Sequence, residues 1–339
     1  MSRTAPQIVD AVRPEDYEPG TISRLMVDIA HDGLSQAIRL PVLLARGARP
    51  GPVFGVTAAV HGNELNGIPV IQRLFARLDP TQLRGTVVGV IVVNVPGLFA
   101  NTRLFLDGWD LNHAFPGRED GDAAAVYVHR FVERIVSRFD SLVDLHTASF
   151  GRVNSLYVRA DMTDRETATM AYLQRPQIIL HNPPSDRTLR GAAAELGIPA
   201  ITLEIGNPQR YNLDFIKRAH VGLRAVLANA GMVRRRAVAL GPPPILCERS
   251  RWMYTDHGGL LDVFVGVTDH VTTAQRVAHL TNPYGDIIAE YHAPESGVIV
   301  GHSVNPVSQT GARILHLGVP ALEDDPRFHY RFSDLEIAP

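Results

Sequence analysis

Between about residue 36 and residue 230, short apolar runs alternate with longer stretches in which apolar positions return every three or four residues. Unbroken or alternating apolar runs suit strands, the 3.6-residue return suits helices, and their succession suits a sheet covered by helices. Strands are predicted over 38–45, 53–60, 87–93, 142–145, 155–159, 177–181 and 200–205, and helices over 67–78, 123–139, 164–174 and 213–230. Val128, Phe131, Val132 and Ile135 mark one face of the second helix, and Asp164 gives the third its start signal.

Beyond residue 230 the pattern changes. Arg234-Arg235-Arg236 and Gly241-Pro242-Pro243-Pro244 suit neither a continuing helix nor an inner strand, so a domain boundary is placed there. Residues 258–266, 285–290, 297–301 and 313–317 form short β runs between Gly and Pro turns, the pattern of a small all-β module. The expected division is an N-terminal extension (1–35), an α/β domain (36–235) and a C-terminal β domain (236–339). The acidic segment 323–326 is expected to be loose.

Composition narrows the function classes. A net charge of −2 gives no basic excess for nucleic acid or an anionic membrane, so a small-molecule or peptide substrate is expected. The first twenty residues hold no apolar signal core and no run approaches the ~20 residues of a membrane span, which makes the cytoplasm the expected compartment. The single cysteine, Cys247, excludes an internal disulfide and a thiolate metal site. Lys217 is the sole lysine, and its place in Asp214-Phe215-Ile216-Lys217-Arg218 reads as a solvated helix face rather than a catalytic amine. Gly85, Gly89 and Gly97 form no phosphate loop.

The candidate chemistry begins where the 53–60 run ends in His61-Gly62-Asn63-Glu64. Residues three apart in a first helical turn share a face, so His61 and Glu64 converge. A catalytic zinc often takes two histidines and one carboxylate, leaving a position open for water. His146, at the end of Val143-Asp144-Leu145-His146, is the best candidate for the third ligand. The competing reading of H-x-x-E alone, a helix-start Glu beside a surface His, weakens once strand-end His146, strand-end Glu204 and the Asp110-Leu111-Asn112 turn are placed along one carboxyl edge of a sheet.

These residues resemble the aspartoacylase and succinylglutamate desuccinylase branch of the zinc carboxypeptidase-like superfamily, over roughly residues 36–230. The resemblance rests on H-G-N-E at 61–64, N-T-R at 101–103, D-L-N at 110–112 with F-P-G at 115–117, D-L-H at 144–146 and L-E-I-G at 203–206. It implies an α/β fold, a mixed and mostly parallel sheet flanked by helices, with a small C-terminal all-β domain similar to barrel-sandwich modules. It implies one zinc per chain on His61, Glu64 and His146, with Glu204 as general base and Asp110 fixing the ring of the first zinc histidine. Arg103 would polarise the scissile carbonyl, Asn112 would help hold a substrate carboxylate, and Arg190 would be a further substrate-binding arginine.

One position departs from the family pattern, which usually reads D-L-N-R: here position 113 is His113. An imidazole lacks the bidentate grip of an arginine, so the anchoring of a free amino-acid carboxylate is in question unless Arg118 or Arg210 supplies the charge. The leading expectation is a zinc-dependent hydrolase of an N-acylated amino acid or related amine. Metallocarboxypeptidase activity and a zinc-binding protein without activity are the alternatives, and assembly with copies of itself is left open. A biotin or lipoate carrier role fails for want of a lysine in 231–339.

Overall fold

The computed structural model describes residues 5–184, 187–235 and 242–330. Its main element is a 14-stranded mixed sheet. At the centre lie four mutually parallel strands in the order Arg84–Val90, Arg49–Ala58, Ser141–His146, Ala200–Ile205. Leu156–Ala160 joins the last of these antiparallel, then Ile178–His181 and Ile245–Tyr254 follow in parallel. Arg313–Pro320, Gly297–Ser303 and His270–Val271 complete that side, and Arg152–Asn154 pairs with Gly297–Ser303 off the main order.

Alternation along the central strands sorts the core into two layers. Val56, Ala58, Val143, Leu145, Ile201 and Leu203 face Val70, Ile71, Leu74 and Phe75 of helix Gly67–Arg77 and the apolar stripe of Leu213–Asn229. Val88, Val90, Leu142 and Ala200 face Tyr127, Val128 and Phe131 of Ala123–Arg134, and Leu189, Ala192 and Ala193 of Leu189–Glu195. Asp122, Asp164 and Thr188 start three of the helices by accepting from Ala125, Thr167 and Gly191 backbone N–H groups at 2.9, 2.9 and 3.1 Å.

Several elements differ from expectation. The sheet begins earlier, because Thr21–His31 pairs antiparallel with Ala37–Arg46 and carries Gln7–Val9 on its outer side. The predicted helix 123–139 ends at Arg134, where Ile135 leaves helical geometry (φ −130), and resumes as a single 3-10 turn, Val136–Arg138. Two short helices, Val95–Ala100 and Leu189–Glu195, lie where no strong periodicity signals them. The segment expected to be loose is tied down, since Arg327 bonds Asp325 and Glu248 and Phe328 is buried against His181. Arg236 and Gly241 of the expected break lie outside the described residues.

In the tail, Ile287–His292, Arg276–Thr281, Gly259–Val263 and Val307–Ser308 form a separate four-stranded antiparallel sheet over Leu261, Val277, Leu280 and Leu317. Among the described residues both sheets are open, so the β module does not close into a barrel. No described helix is long and apolar enough to cross a membrane.

Candidate metal and active site

The carboxyl ends of the central parallel strands meet at one edge, the usual place for a ligand in such a sheet. The chain leaves Arg49–Ala58 and turns through His61-Gly62-Asn63-Glu64 into helix Gly67–Arg77. Gly62 is required there, because a Cβ at this position would lie 2.0 Å from the Gly97 carbonyl carbon and 2.3 Å from the Leu98 nitrogen. Asn66 pins the same turn from below by donating to the Ile205 carbonyl at 2.9 Å and accepting from Asn212 N–H at 3.0 Å.

His61, Glu64 and His146 are brought together and all are buried, with one ligand atom from each lying within 4.8 Å of the others. His61 Nδ1 is 2.9 Å from Glu64 Oε1, and His146 Nδ1 is 3.0 Å from Glu64 Oε2. The opposite ring nitrogens are held by carboxylates: His61 Nε2 by Asp110 at 2.9 Å and His146 Nε2 by Asp144 at 2.7 Å. A ring that donates through Nε2–H to a carboxylate presents a lone pair at Nδ1. Two such lone pairs facing one carboxylate need a shared cation, and His61 Nδ1 is a buried atom with no hydrogen-bond partner despite its short approach to Glu64. Tetrahedral zinc ligands stand roughly 3.3 Å apart when each is ~2.0–2.1 Å from the ion, so the spacing fits.

The electrostatics show the cluster attracting positive charge, whether carried by ring protons or by a metal that displaces them. Burial alone would raise the Glu64 pKa, but His61 and His146 hold it well below the carboxylate range. Burial would likewise lower that of His146, yet Asp144 and Glu64 hold it well above the usual imidazole value. Asp110 also stays ionised: the hydrogen bond from His61 and the charge of Arg103 overcome its partial burial.

Asp144 is the functional residue that motif reading passed over, although D-L-H contains the signal. Period two along a strand puts Asp144 and His146 on one face, and Thr57 Oγ1 donates to the second oxygen of Asp144 at 2.7 Å. Glu204 stands directly opposite His146 in the parallel pairing of Ala200–Ile205 with Ser141–His146, and accepts from Asn154 Nδ2 at 3.4 Å. It lines the same pocket as the three ligand candidates.

Arg103 Nη1 donates to Glu64 at 2.8 Å and Ser149 Oγ at 2.6 Å, and its Nε to Asp110 at 2.9 Å. It therefore braces the ligand set from the pocket wall. Asn112 lines the pocket, but its Oδ1 accepts from Leu189 N–H at 3.0 Å, so its amide also fixes the start of a helix. His113 sits at the mouth with 67% of its side chain exposed. Arg190 is buried and donates to the Asn182 backbone carbonyl at 2.6 Å and side-chain oxygen at 2.8 Å. Arg118 and Arg210 do not line the pocket; Arg152, Arg159 and Arg313 do, beside Tyr157 and Trp252. Those residues come from segments far apart in sequence and carry no motif.

A mixed, centrally parallel sheet thus presents, at its carboxyl edge, two histidines and a glutamate that could hold a metal ion. Residues 50–230 match the succinylglutamate desuccinylase/aspartoacylase catalytic domain, and the chain belongs to that family. The N-alpha-acetyl-L-2,4-diaminobutyric acid deacetylase of Halomonas elongata is 26% identical over 278 residues, covering 78% of this chain and 80% of that protein. A succinylglutamate desuccinylase of Pseudomonas paraeruginosa is 28% identical over 183 residues, 48% of this chain and 55% of its own length. The product-bound ectoine utilization protein EutE (DoeB) of Ruegeria pomeroyi shares the fold, with a TM-score of 0.80 at 20% identity over 88% of this chain and 95% of that one. The first two relatives are deacylating enzymes by name.

Proposed function

We propose that this chain is a zinc-dependent deacylase that hydrolyses the amide of an N-acylated amino acid or related N-acyl amine. The observation that carries the proposal is the convergence of His61 Nδ1, His146 Nδ1 and Glu64, with the far side of each ring held by its own carboxylate. The deacetylase and desuccinylase relatives support the same reaction type.

When bound by His61, Glu64 and His146, zinc supplies a Lewis acid for the acyl carbonyl and lowers the pKa of an attacking water towards about 7. The remaining work falls to this chain's side chains. Glu204, beside His146 at the pocket wall, takes a proton from the attacking water and delivers it to the leaving amine as the C–N bond breaks. Arg103 is cationic throughout, because the charges of Glu64 and Asp110 outweigh the effect of its burial. Its guanidinium stabilises the negative charge that develops on the former carbonyl oxygen. Asp110 and Asp144 hold the two imidazoles in the tautomer that keeps Nδ1 free for metal. Asn112, His113 and Arg190 are assigned to substrate positioning.

The reading is tested by elemental analysis of the wild type and His61→Ala, followed by a screen of N-acyl amino acids with a dipeptide of similar size as comparison. About one zinc per chain, lost in the variant, together with amide hydrolysis, is the expected result. Absence of metal in both proteins after zinc is supplied would sink the mechanism, and preference for the dipeptide would favour the carboxypeptidase alternative.

A further inference from the structure

A general base at Glu204 has to stand at a fixed distance from the metal-ligand candidates, which sit on other segments of the chain. Asparagine side chains make the connection. Asn66 follows the His61–Glu64 turn and is 1% exposed. Its Nδ2 donates to two carbonyls just beyond Glu204, those of Ile205 at 2.9 Å and Asn207 at 3.1 Å. Its main-chain N–H donates to the hydroxyl of Thr147, the residue after His146, at 3.2 Å. One buried residue thereby joins the segments that bear Glu64, His146 and Glu204, and the Ala148 N–H closes the same gap by donating to the Gly206 carbonyl at 3.0 Å.

A second asparagine aims the carboxylate itself. Asn154, buried at the end of Arg152–Asn154, directs Nδ2 to Glu204 Oε2 at 3.4 Å while its main-chain N–H donates to Asn207 Oδ1 at 3.3 Å. Both ends of the short segment from Glu204 to Asn207 are thus held by one residue. The contact to Glu204 is long, as hydrogen bonds to a reacting group often are before substrate fills the site. Gly301 makes room for the amide: it pairs with Asn154 across the two strands, and a Cβ there would lie 2.3 Å from Asn154 Oδ1. A neutral donor suits the task. It orients one carboxylate oxygen and leaves the other for the attacking water, whereas a guanidinium in its place would stabilise the ionised form and weaken the base.

We infer that Asn154, Asn207 and Asn66 are positioning residues that set the separation between the Glu204 carboxylate and the His61–Glu64–His146 cluster, with Asn154 aiming the carboxylate. The inference rests on the deacylase reading and deepens it by naming what holds its base.

The test measures kcat, KM and zinc content for the zinc-loaded wild type, Asn154→Ala, Asn154→Asp and Asn207→Ala. The substrate is whichever of N-acetyl-L-leucine, N-acetyl-L-glutamate and N-α-acetyl-L-2,4-diaminobutyrate the wild type cleaves fastest. Asn154→Ala should lower kcat roughly 10–100-fold, with KM within about twofold and zinc content unchanged. Asn154→Asp keeps the volume but sets one carboxylate against another, so it should fall at least as far as the alanine variant. A packing role alone predicts the opposite order, and that order would overturn the inference. So would an unchanged kcat, a loss confined to KM, or a loss of zinc in Asn154→Ala. Crystal structures of the wild type and Asn154→Ala separate this inference from the reaction assignment. A wild type that cleaves none of the three amides defeats the deacylase reading, and the structures then decide the positioning role. A Glu204 carboxylate displaced by about 1 Å or more, with His61, Glu64 and His146 in place, supports it, and an unmoved carboxylate overturns it. Should Asn154→Ala fail to fold, Asn207→Ala carries the same kinetic and structural comparison, with the same outcomes on either side.

Discussion

Asp144→Asn changes one buried charge and almost no volume, which makes it the sharpest test of how the metal ligands are held. Asp144 is 1% exposed and uses both oxygens, one for His146 Nε2 at 2.7 Å and one for Thr57 Oγ1 at 2.7 Å. The amide keeps both contacts by presenting oxygen to the ring and NH2 to the threonine hydroxyl, so folding should survive. What disappears is the charge that makes the His146 ring a stronger donor to the metal. Carboxylate partners of this kind change metal affinity or activity by ~10–100-fold, or about 1.4–2.7 kcal/mol. Asp144 should fall near the upper end because, among the described residues, no guanidinium or ammonium competes with the His146 ring for it. Asp110 should fall near the lower end, since its side chain is 17% exposed and already shared with Arg103 Nε at 2.9 Å. Competition against a chromogenic zinc chelator, with thermal unfolding of each protein alongside, measures both. A zinc Kd for Asp144→Asn within twofold of the wild type, or a larger loss for Asp110→Asn, would refute the reasoning.

Three further outcomes are expected. Glu204→Gln should lower kcat by ~10²–10⁴-fold while zinc content stays at the wild-type level, and full activity in the variant would remove Glu204 as the base. Gly62→Ala forces a Cβ into the backbone of Gly97 and Leu98; denaturant unfolding should show a loss of roughly 2–3 kcal/mol or more together with loss of metal. His220 is buried on helix Leu213–Asn229, and burial, then the charges of Arg77, Arg224 and Arg73, lowers its pKa to about 4. The unfolded chain takes up that proton near pH 6.5 and the folded one only near 4, so the stability present above 6.5 is lost as pH falls through that window. The loss should be about 3 kcal/mol, and His220→Leu should flatten this part of the profile in urea unfolding across pH.

The strand-end motifs were legible because local rules fix them. An apolar run stops and a tight turn follows, closed by the Glu64 N–H donating to the His61 carbonyl at 3.1 Å, so the two side chains converge ahead of helix Gly67–Arg77 rather than within its first turn. The central strands were readable for a similar reason, being continuous apolar runs buried on both faces. Thr21–His31 was not read as a strand, although Leu25, Val27 and Ile29 alternate with the outward Arg24, Met26, Asp28 and Ala30; its antiparallel pairing with Ala37–Arg46 makes it part of the sheet. The arginine-lined wall of the pocket was hidden more deeply. Arg152 reaches it through the pairing of Arg152–Asn154 with Gly297–Ser303, while Trp252 and Arg313 arrive on neighbouring strands whose register sets Trp252 opposite His316. Asn112 shows the opposite limit: its place in D-L-N marks it for substrate, and only the three-dimensional neighbourhood reveals the backbone N–H of Leu189 on its oxygen.

The sheet runs unbroken from Ser141–His146, which carries His146, to the strands bearing Trp252 and Arg313. The histidine–glutamate cluster and the aromatic, arginine-bearing wall thus belong to one hydrogen-bonded lattice and line one pocket. Main-chain pairing across these neighbouring strands positions both sides of the pocket, so a register shift in any one of them would displace the wall relative to the histidines.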